Sequence, residues 1–422
     1  MARKFLVREK KQHMALAKVS PRTGSAKGHI LFVLEFFFPH VGGLETLFQH
    51  LAEGLMQHGY RVTVVTLWLP GTNKRETHNG IEIVRVKTPG FAQRYLFMLY
   101  ALPMAVRQAR KADLIHTTTY NAALPAWLAS RIARRPAIIT AHEVFAEQWQ
   151  QLPGLNPLLG YAFRAFEWAI LHLPFAHFIG DSNFTARRLQ QRMHIPAHKV
   201  STVYPAVDYE FWDRARHERR VLTEEVPGLA DGPVYVYFGR AGLSKGLGYL
   251  IEAARIIQRA RPDSHGVFIL ARDPLAPYER ALRQLTRYGL TEHVIVLDPV
   301  PRAELPGYLL AADCVVVPSI SEGFGYAAVE AATLGCPVVT TTGHSVEEVL
   351  PDSARFVAPR DPVALAQAIL AIMQDRPEWR EPARYDVERH IAGVEAVYKC
   401  IGIQETRHPT TRDSTVRASS DR

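Results

Sequence analysis

Only three cysteines, Cys314, Cys336 and Cys400, occur in the 422 residues. That number builds no disulfide framework, and their spacing matches no metal-binding pattern. The expectation is three thiols buried among apolar neighbours in a reducing cytoplasm, with no metal and no bound cofactor. Long apolar runs are also missing. The best candidate, Leu155–Ile179, is interrupted by Arg164, Glu167, His172 and His177, so no membrane-spanning helix is expected. The first 27 residues lack the apolar core of a secretory leader. Nor is there an acidic surplus: the formal net charge is +9. Residues 1–27 hold eight Lys and Arg against Glu9 alone, which leaves about +2 for the other 395 residues. A basic tail of this kind makes no nucleic-acid groove, and no nucleic-acid partner is expected. The segment reads as a disordered extension, or as an upstream start with Met14 or a later residue as the true beginning. The sharper alternative is a basic arm resting on anionic lipid at the cytoplasmic face of a membrane.

What is present is the composition of an ordinary globular protein, 47% hydrophobic and 22% charged, long enough for two well-developed cores. Short β-rich runs at His29–Leu34, Arg61–Thr66, Ile81–Val86, Asp113–Thr117, Ala137–Ala141, Ala176–Gly180 and Lys199–Tyr204 alternate with helical patterns. The clearest helix is Leu44–His58, with Leu44, Leu47, Phe48, Leu51, Leu55 and Met56 on one face and Gly59 as its stop. The alternation lapses over Asp208–Gly232, which is polar and charged, and this stretch is read as the interdomain linker. A second series follows: strands at Val234–Phe238, Gly266–Leu270, His293–Leu297, Cys314–Pro318 and Val338–Thr341, then helices at Asp361–Gln374 and Val387–Ile401. The fold class is α/β, two tandem Rossmann-like doubly wound domains facing a central cleft. The expected divisions are 28–207, a linker at 208–232, a second domain at 233–383, a C-terminal helix at 384–404 that in one reading crosses back to the first domain, and a disordered tail from 405 to 422.

In such sheets ligands bind beyond the carboxyl ends of the strands, so motifs there carry weight. After the first strand comes Phe36–Gly43, whose paired Gly42 and Gly43 let a backbone approach a phosphate or sugar; a plain strand-to-helix turn explains them equally. After the first strand of the second domain comes Gly239-Arg240-Ala241-Gly242-Leu243-Ser244-Lys245-Gly246. A planar donor fork and a mobile ammonium in a glycine-rich loop suit a diphosphate; the bland alternative is two solvated cations. The run Ser321–Glu330 opens with small residues, Glu322, Gly323, Phe324 and Gly325, and continues as a helix over Ala327–Leu334 that Gly335 ends. Exposed amides at that helix start favour an anion, with Glu322 and Glu330 on either side to accept from sugar hydroxyls. The alternative is one helix-start acid and one exposed acid. His142, in Thr140-Ala141-His142-Glu143, lies at the end of a first-domain strand facing the cleft. A histidine satisfied within the core would look the same.

Together these residues resemble the retaining glycosyltransferases of family four, which have the GT-B two-domain fold. The resemblance spans about residues 29 to 400. Its most specific part is Gly239–Gly246 paired in this order with Glu322–Glu330 and Ala331–Val339; Gly42-Gly43, His142 and Ser182 add to it. It implies a nucleotide diphosphate sugar donor, UDP- or GDP-linked, and metal-independent transfer of a hexose to a hydroxyl of a glycan or lipid-linked acceptor. By the resemblance, Arg240 and Lys245 bind the diphosphate, Glu330 the ribose and Glu322 the hexose, Gly43 lets the chain close on the phosphate, and His142 lies near the transferred sugar or the acceptor. Three features depart from the family pattern: Tyr204–Asp208 lacks the usual Asn-Gly, His142 is followed by Glu143 rather than Asp, and Asp298–Pro301 lacks a glycine.

Two other readings keep the fold: a sugar-nucleotide epimerase, for which no convincing acid–base set is seen, and a catalytically silent nucleotide-sugar-binding subunit, against which the intact Arg240–Lys245–Glu322–Glu330 set argues. Phe91–Met104 is rich in aromatics, with Arg94 and Arg107 nearby. It reads either as a packing helix or as a first-domain surface for lipid or an amphipathic acceptor.

Overall fold

The computed structural model describes residues 27–40 and 42–403, and the expectations placed on the basic extension and the C-terminal tail lie outside that range. The first sheet holds β1 (His29–Val33), β2 (Arg61–Leu67), β3 (Arg75–His78), β4 (Ile81–Val86), β5 (Leu114–Thr118), β6 (Ala137–Ala141), β7 (His177–Gly180) and β8 (Val200–Thr202) in the order β3-β4-β2-β1-β5-β6-β7-β8. All neighbours are parallel except β3 and β4. The second sheet holds β9 (Val234–Arg240), β10 (His265–Ala271), β11 (Val294–Leu297), β12 (Cys314–Val317), β13 (Val338–Thr341) and β14 (Arg355–Val357), in the order β11-β10-β9-β12-β13-β14 and parallel throughout. Central strands such as β1 (HILFV) are buried along their whole length. A parallel strand covered on both faces demands such an unbroken apolar run.

The first-domain helices are α1 (Gly43–Gln57), α2 (Gln93–Tyr100), α3 (Leu102–Ala109), α4 (Ala123–Ala133), α5 (Pro157–Leu171) and α6 (Asn183–Gln191). The chain crosses from β1 to β2 in one direction and through β5, β6 and β7 in the other, so right-handed connections put α1 on one face and α2 to α6 on the opposite face. After the short α7 (Leu222–Glu225), the second domain carries α8 (Leu247–Ala260), α9 (Leu275–Arg287), α10 (Leu305–Ala311), α11 (Tyr326–Thr333), α12 (Val346–Val349) and α13 (Pro362–Gln374). The last helix, α14 (Val387–Cys400), packs on α1. Ile391 there fills the space that the missing side chain of Gly54 leaves, and Tyr398 shares a 2.8 Å hydrogen bond with His116 of β5.

Several expectations change. Leu44, in the first turn of α1, is exposed rather than part of its apolar face. Cys314 and Cys336 are buried, but Cys400 is exposed on the outer side of α14. Within the polar stretch 208–232, Trp212, Leu222, Val226 and Leu229 insert into the second domain's core. Two strands went unread. β14 is short and half-exposed. β3 is polar and pairs antiparallel with β4 through Asn79-Gly80, both at positive φ (47° and 83°). That dipeptide is the strongest short-range hairpin signal in a sequence and was the available clue.

Candidate functional site

In the second sheet the chain leaves β9 toward β10 on one side, while β12 lies on the other, so the loops after β9 and β12 flank the point where strand order reverses. These are the loops that carry Gly239–Gly246 and Ser319–Gly325. They are pinned to each other. Gly246 has φ +66°, and a β-carbon there would stand 1.8 Å from the carbonyl oxygen of Pro318, so both the backbone angle and the contact require glycine. Ile320 N–H donates to the Ser244 carbonyl at 2.6 Å.

This pinning brings two candidate residues together. The Lys245 ammonium donates to Glu322 Oε1 at 2.7 Å, and the Ser319 hydroxyl donates to the same oxygen at 2.6 Å. Burial pushes the Glu322 carboxyl upward, but the Lys245 charge and these hydrogen bonds more than offset it and hold the group below the usual carboxylate range. Arg240, the last residue of β9, is exposed and makes no ion pair among the described residues. Its charge reaches Glu45 in the first turn of α1, across the cleft. Gly42 is the N-cap of α1, and Gly43 lies against the ring of Tyr326, where a β-carbon would stand 3.5 Å from it.

The first domain contributes the end of β6. His142 donates from Nδ1 to Asp181 Oδ2 at 2.6 Å, which leaves its buried Nε2 without a protein partner. A carboxylate on Nδ1 fixes the ring and directs the second nitrogen elsewhere. The His142 carbonyl meets the second domain directly: a β-carbon on Gly323 would fall 1.5 Å from its oxygen. Ser182 caps α6, its hydroxyl accepting from Thr185 N–H at 3.1 Å.

Glu143 departs from the family pattern, and the structure gives it a place. Its Oε1 is buried, and the buried hydroxyl of Ser321 on the other domain lies beside its carboxyl. Burial, and then repulsion from Glu322, push its carboxyl up to about 7, while Ser321 and Lys245 pull the other way. The loop that carries it rests on Glu167 of α5, which accepts from Phe145 N–H at 2.9 Å, Ala146 N–H at 2.6 Å and the Tyr120 hydroxyl at 3.0 Å. Nothing in the local sequence places Glu143 opposite Glu322; only the meeting of the domains does.

Two residues of the Glu322–Glu330 run stand elsewhere than a helix-tip site suggests. Phe324 is buried among the rings of Tyr204, Tyr326 and Tyr385. Its side chain is core, and its part in a site is limited to its backbone. Glu330 lies along α11 near Asp208, Trp212 and Arg302, and burial raises its carboxyl to about 7 despite Arg302. Arg302 was not singled out from the sequence. Gly325, at φ +89°, is the N-cap of α11. Among the described residues no group of three or more His, Cys, Asp or Glu side chains is placed to hold a metal ion, and no helix is long and apolar enough to cross a membrane.

The interface is further held by Glu348 of α12, which accepts from Asn183 N–H at 3.0 Å, Arg187 at 2.6 Å and the Tyr204 hydroxyl at 2.9 Å.

Two facing Rossmann-like domains with polar groups converging on the cleft define the GT-B class of architecture. Solved structures agree on the fold. An Anabaena protein, HepE, determined with UDP and glucose, superposes with a TM-score of 0.69 over 88% of this chain and 99% of its own, at 20% identity. A sucrose-phosphate synthase from Thermosynechococcus elongatus gives 0.68 over 89% and 96%, at 22% identity. Residues 41–211 match the family described as Glycosyltransferase Family 4, and residues 232–375 match Glycosyl transferases group 1. The chain belongs to this glycosyltransferase family. Relatives include an uncharacterized glycosyltransferase of Methanocaldococcus jannaschii, 26% identical over 79% of this chain and 86% of its own. A D-inositol 3-phosphate glycosyltransferase of Jonesia denitrificans is 26% identical over 68% and 69%.

Proposed function

We propose that this glycosyltransferase moves a hexose from a UDP- or GDP-linked donor to a hydroxyl of a glycan or lipid-linked acceptor, without a metal ion and with retention at the anomeric carbon. The observation that carries the reading is the Lys245–Glu322 pair, fixed by two pinned loops at the switch point and facing His142 and Glu143 across the cleft. The UDP and glucose of the HepE structure and the sugar-transfer names of the relatives support it.

In this scheme Lys245 and Arg240 stabilise the negative charge that collects on the leaving diphosphate. In the same scheme the backbone amides of Gly323 and Gly325 donate to that charge, and Gly42 and Gly43 let the first domain approach. Glu322 accepts from hexose hydroxyls and Glu330 from ribose. The bond to the sugar loosens first, the ring gains oxocarbenium character, and the diphosphate oxygen takes the acceptor proton on the same face. His142, its ring held by Asp181, contacts the transferred sugar from the first domain. Contact between His142 and Gly323 excludes water, so transfer outcompetes hydrolysis. Incubation with UDP- and GDP-hexoses and a panel of glycan and glycolipid acceptors tests the reading by product NMR. An axial or equatorial anomeric bond matching the donor supports it, and an inverted product contradicts it.

A further inference from the structure

Exposed apolar side chains are ordinary when scattered and informative when gathered. Among the described residues fourteen large hydrophobic side chains are exposed, and nine of them fall within residues 91–168. They lie on helices that cover one face of the first sheet. α2 and the residue pair before it present Phe91 (75% exposed), Tyr95 and Leu99 (67%), and α5 presents Leu158 (78%), Tyr161 and Trp168 (54%). Between them Ile132 of α4 is also exposed. The only acid of α5, Glu167, is fully buried, so its outer side carries no negative charge.

The charge carried by α2 to α4 is mostly positive. From Phe91 to His142 there are seven Lys and Arg and a single acid, Asp113. Asp113 is itself engaged, accepting from the His29 backbone at 2.9 Å and lying 3.8 Å from Arg135. Arg107, Arg110, Lys111, Arg131 and Arg134 are all exposed at the far ends of α3 and α4. A second copy of this chain is a poor occupant for such a surface, because it would set cations against cations. Aromatic and aliphatic side chains bordered by Arg and Lys match the two layers of a bilayer surface, acyl boundary and anionic headgroup.

We propose that the outer face of α2, α4 and α5 docks on a lipid bilayer carrying anionic headgroups. α2 and α5 begin on the side of the sheet where β4 and β6 end, which is the side of the cleft. A docked protein therefore holds its cleft near the membrane. Resting on the reading of the cleft as a hexosyl-transfer site, this assigns the acceptor to the lipid-linked class.

Flotation of the full chain with vesicles of phosphatidylcholine alone, or with about one third phosphatidylglycerol, tests the proposal. Wild-type protein is expected to bind the anionic vesicles at least about 10-fold better than the neutral ones. Binding is expected to fall by about 10-fold or more in Leu99→Ser/Leu158→Ser and in Arg131→Glu/Arg134→Glu. Trp379→Ser, at a half-exposed aromatic on the second domain, is expected to leave vesicle binding unchanged. All variants carry the same basic residues 1–27, so the losses belong to the face. Equal binding at both compositions, undiminished binding of the two double variants, or conversion of a dimer to a monomer by them in light scattering overturns the proposal. Nucleotide-induced thermal shifts of the same variants separate the two readings: a retained shift with lost docking supports both, and docking without any nucleotide response sinks only the cleft reading.

Discussion

The carbonyl oxygen of His142 occupies the position that a side chain on residue 323 would need, 1.5 Å from where the β-carbon of an alanine would stand. These residues belong to different domains, so Gly323 is the point at which the two halves of the site touch backbone to backbone. The glycine is required by this approach and not by its backbone angle. Gly323→Ala is expected to leave both domains folded, with unchanged far-ultraviolet circular dichroism, and to hold them apart. Small-angle scattering should show a larger radius of gyration, and turnover should fall by about 10²-fold or more, the loss expected for an ångström-scale misplacement. Wild-type turnover in this variant would show that the contact plays no part.

Lys245 is the cation held closest to a candidate sugar-binding carboxylate. Lys245→Ala is expected to lower turnover by about 10²–10³-fold, the range for removing one preorganised electrostatic group. The same change leaves Glu322 buried without its counter-charge, so the Glu322 carboxyl should titrate higher than in the wild type. Rates with a saturating donor, and the pH dependence of both proteins, measure the two effects.

Glu143 carries a stability signature with a definite sign. Its carboxyl is raised from 4.5 to about 7 in the folded protein by burial and by Glu322. Between those values the folded state holds a proton that the unfolded state has released, so this group makes the protein less stable as pH rises through the window. Glu143→Gln removes that dependence. Its melting temperature should exceed the wild type at pH 8, by the equivalent of about 1–3 kcal/mol, and match it near pH 4.5. An equal gap at both pH values would contradict the assignment.

What could be read from the chain alone follows the range of the forces involved. The helix expected at Ala327–Leu334 is Tyr326–Thr333, and strand Val338–Thr341 is found as written, because apolar periodicity and a terminal glycine act locally. The glycine-rich loop and the Glu322–Glu330 run were visible for the same reason. Glu143 was not, since its environment is made by Glu322, Ser321 and Lys245, which all lie more than 100 residues away. Arg302 beside Glu330, and the burial of Phe324 in an aromatic cluster, likewise depend on which loops meet. The aromatic richness of Phe91–Met104 was plain, but its continuation onto α5 needed the sheet order.

Glu348 ties α12 to α6 and to Tyr204 through three donors. Glu348→Ala leaves those donors without their shared acceptor and is expected to lower stability by about 1–3 kcal/mol. Because the contacts cross between domains, the variant should also be cleaved faster by a protease acting near residues 203–233. Unchanged cleavage would place the clamp outside the domain interface's energetics.

The central claim is that a nucleoside diphosphate is gripped by Arg240 and Lys245 at the switch point of the second sheet. Isothermal titration of UDP, GDP and ADP into the wild type, Arg240→Ala and Lys245→Ala is its most direct measurement. One of the uracil or guanine nucleotides should bind the wild type, with affinity falling by about 10-fold or more in each variant, as expected for loss of one charge-assisted contact. Binding that is unchanged in both variants, or absent for all three nucleotides in the wild type, would contradict it.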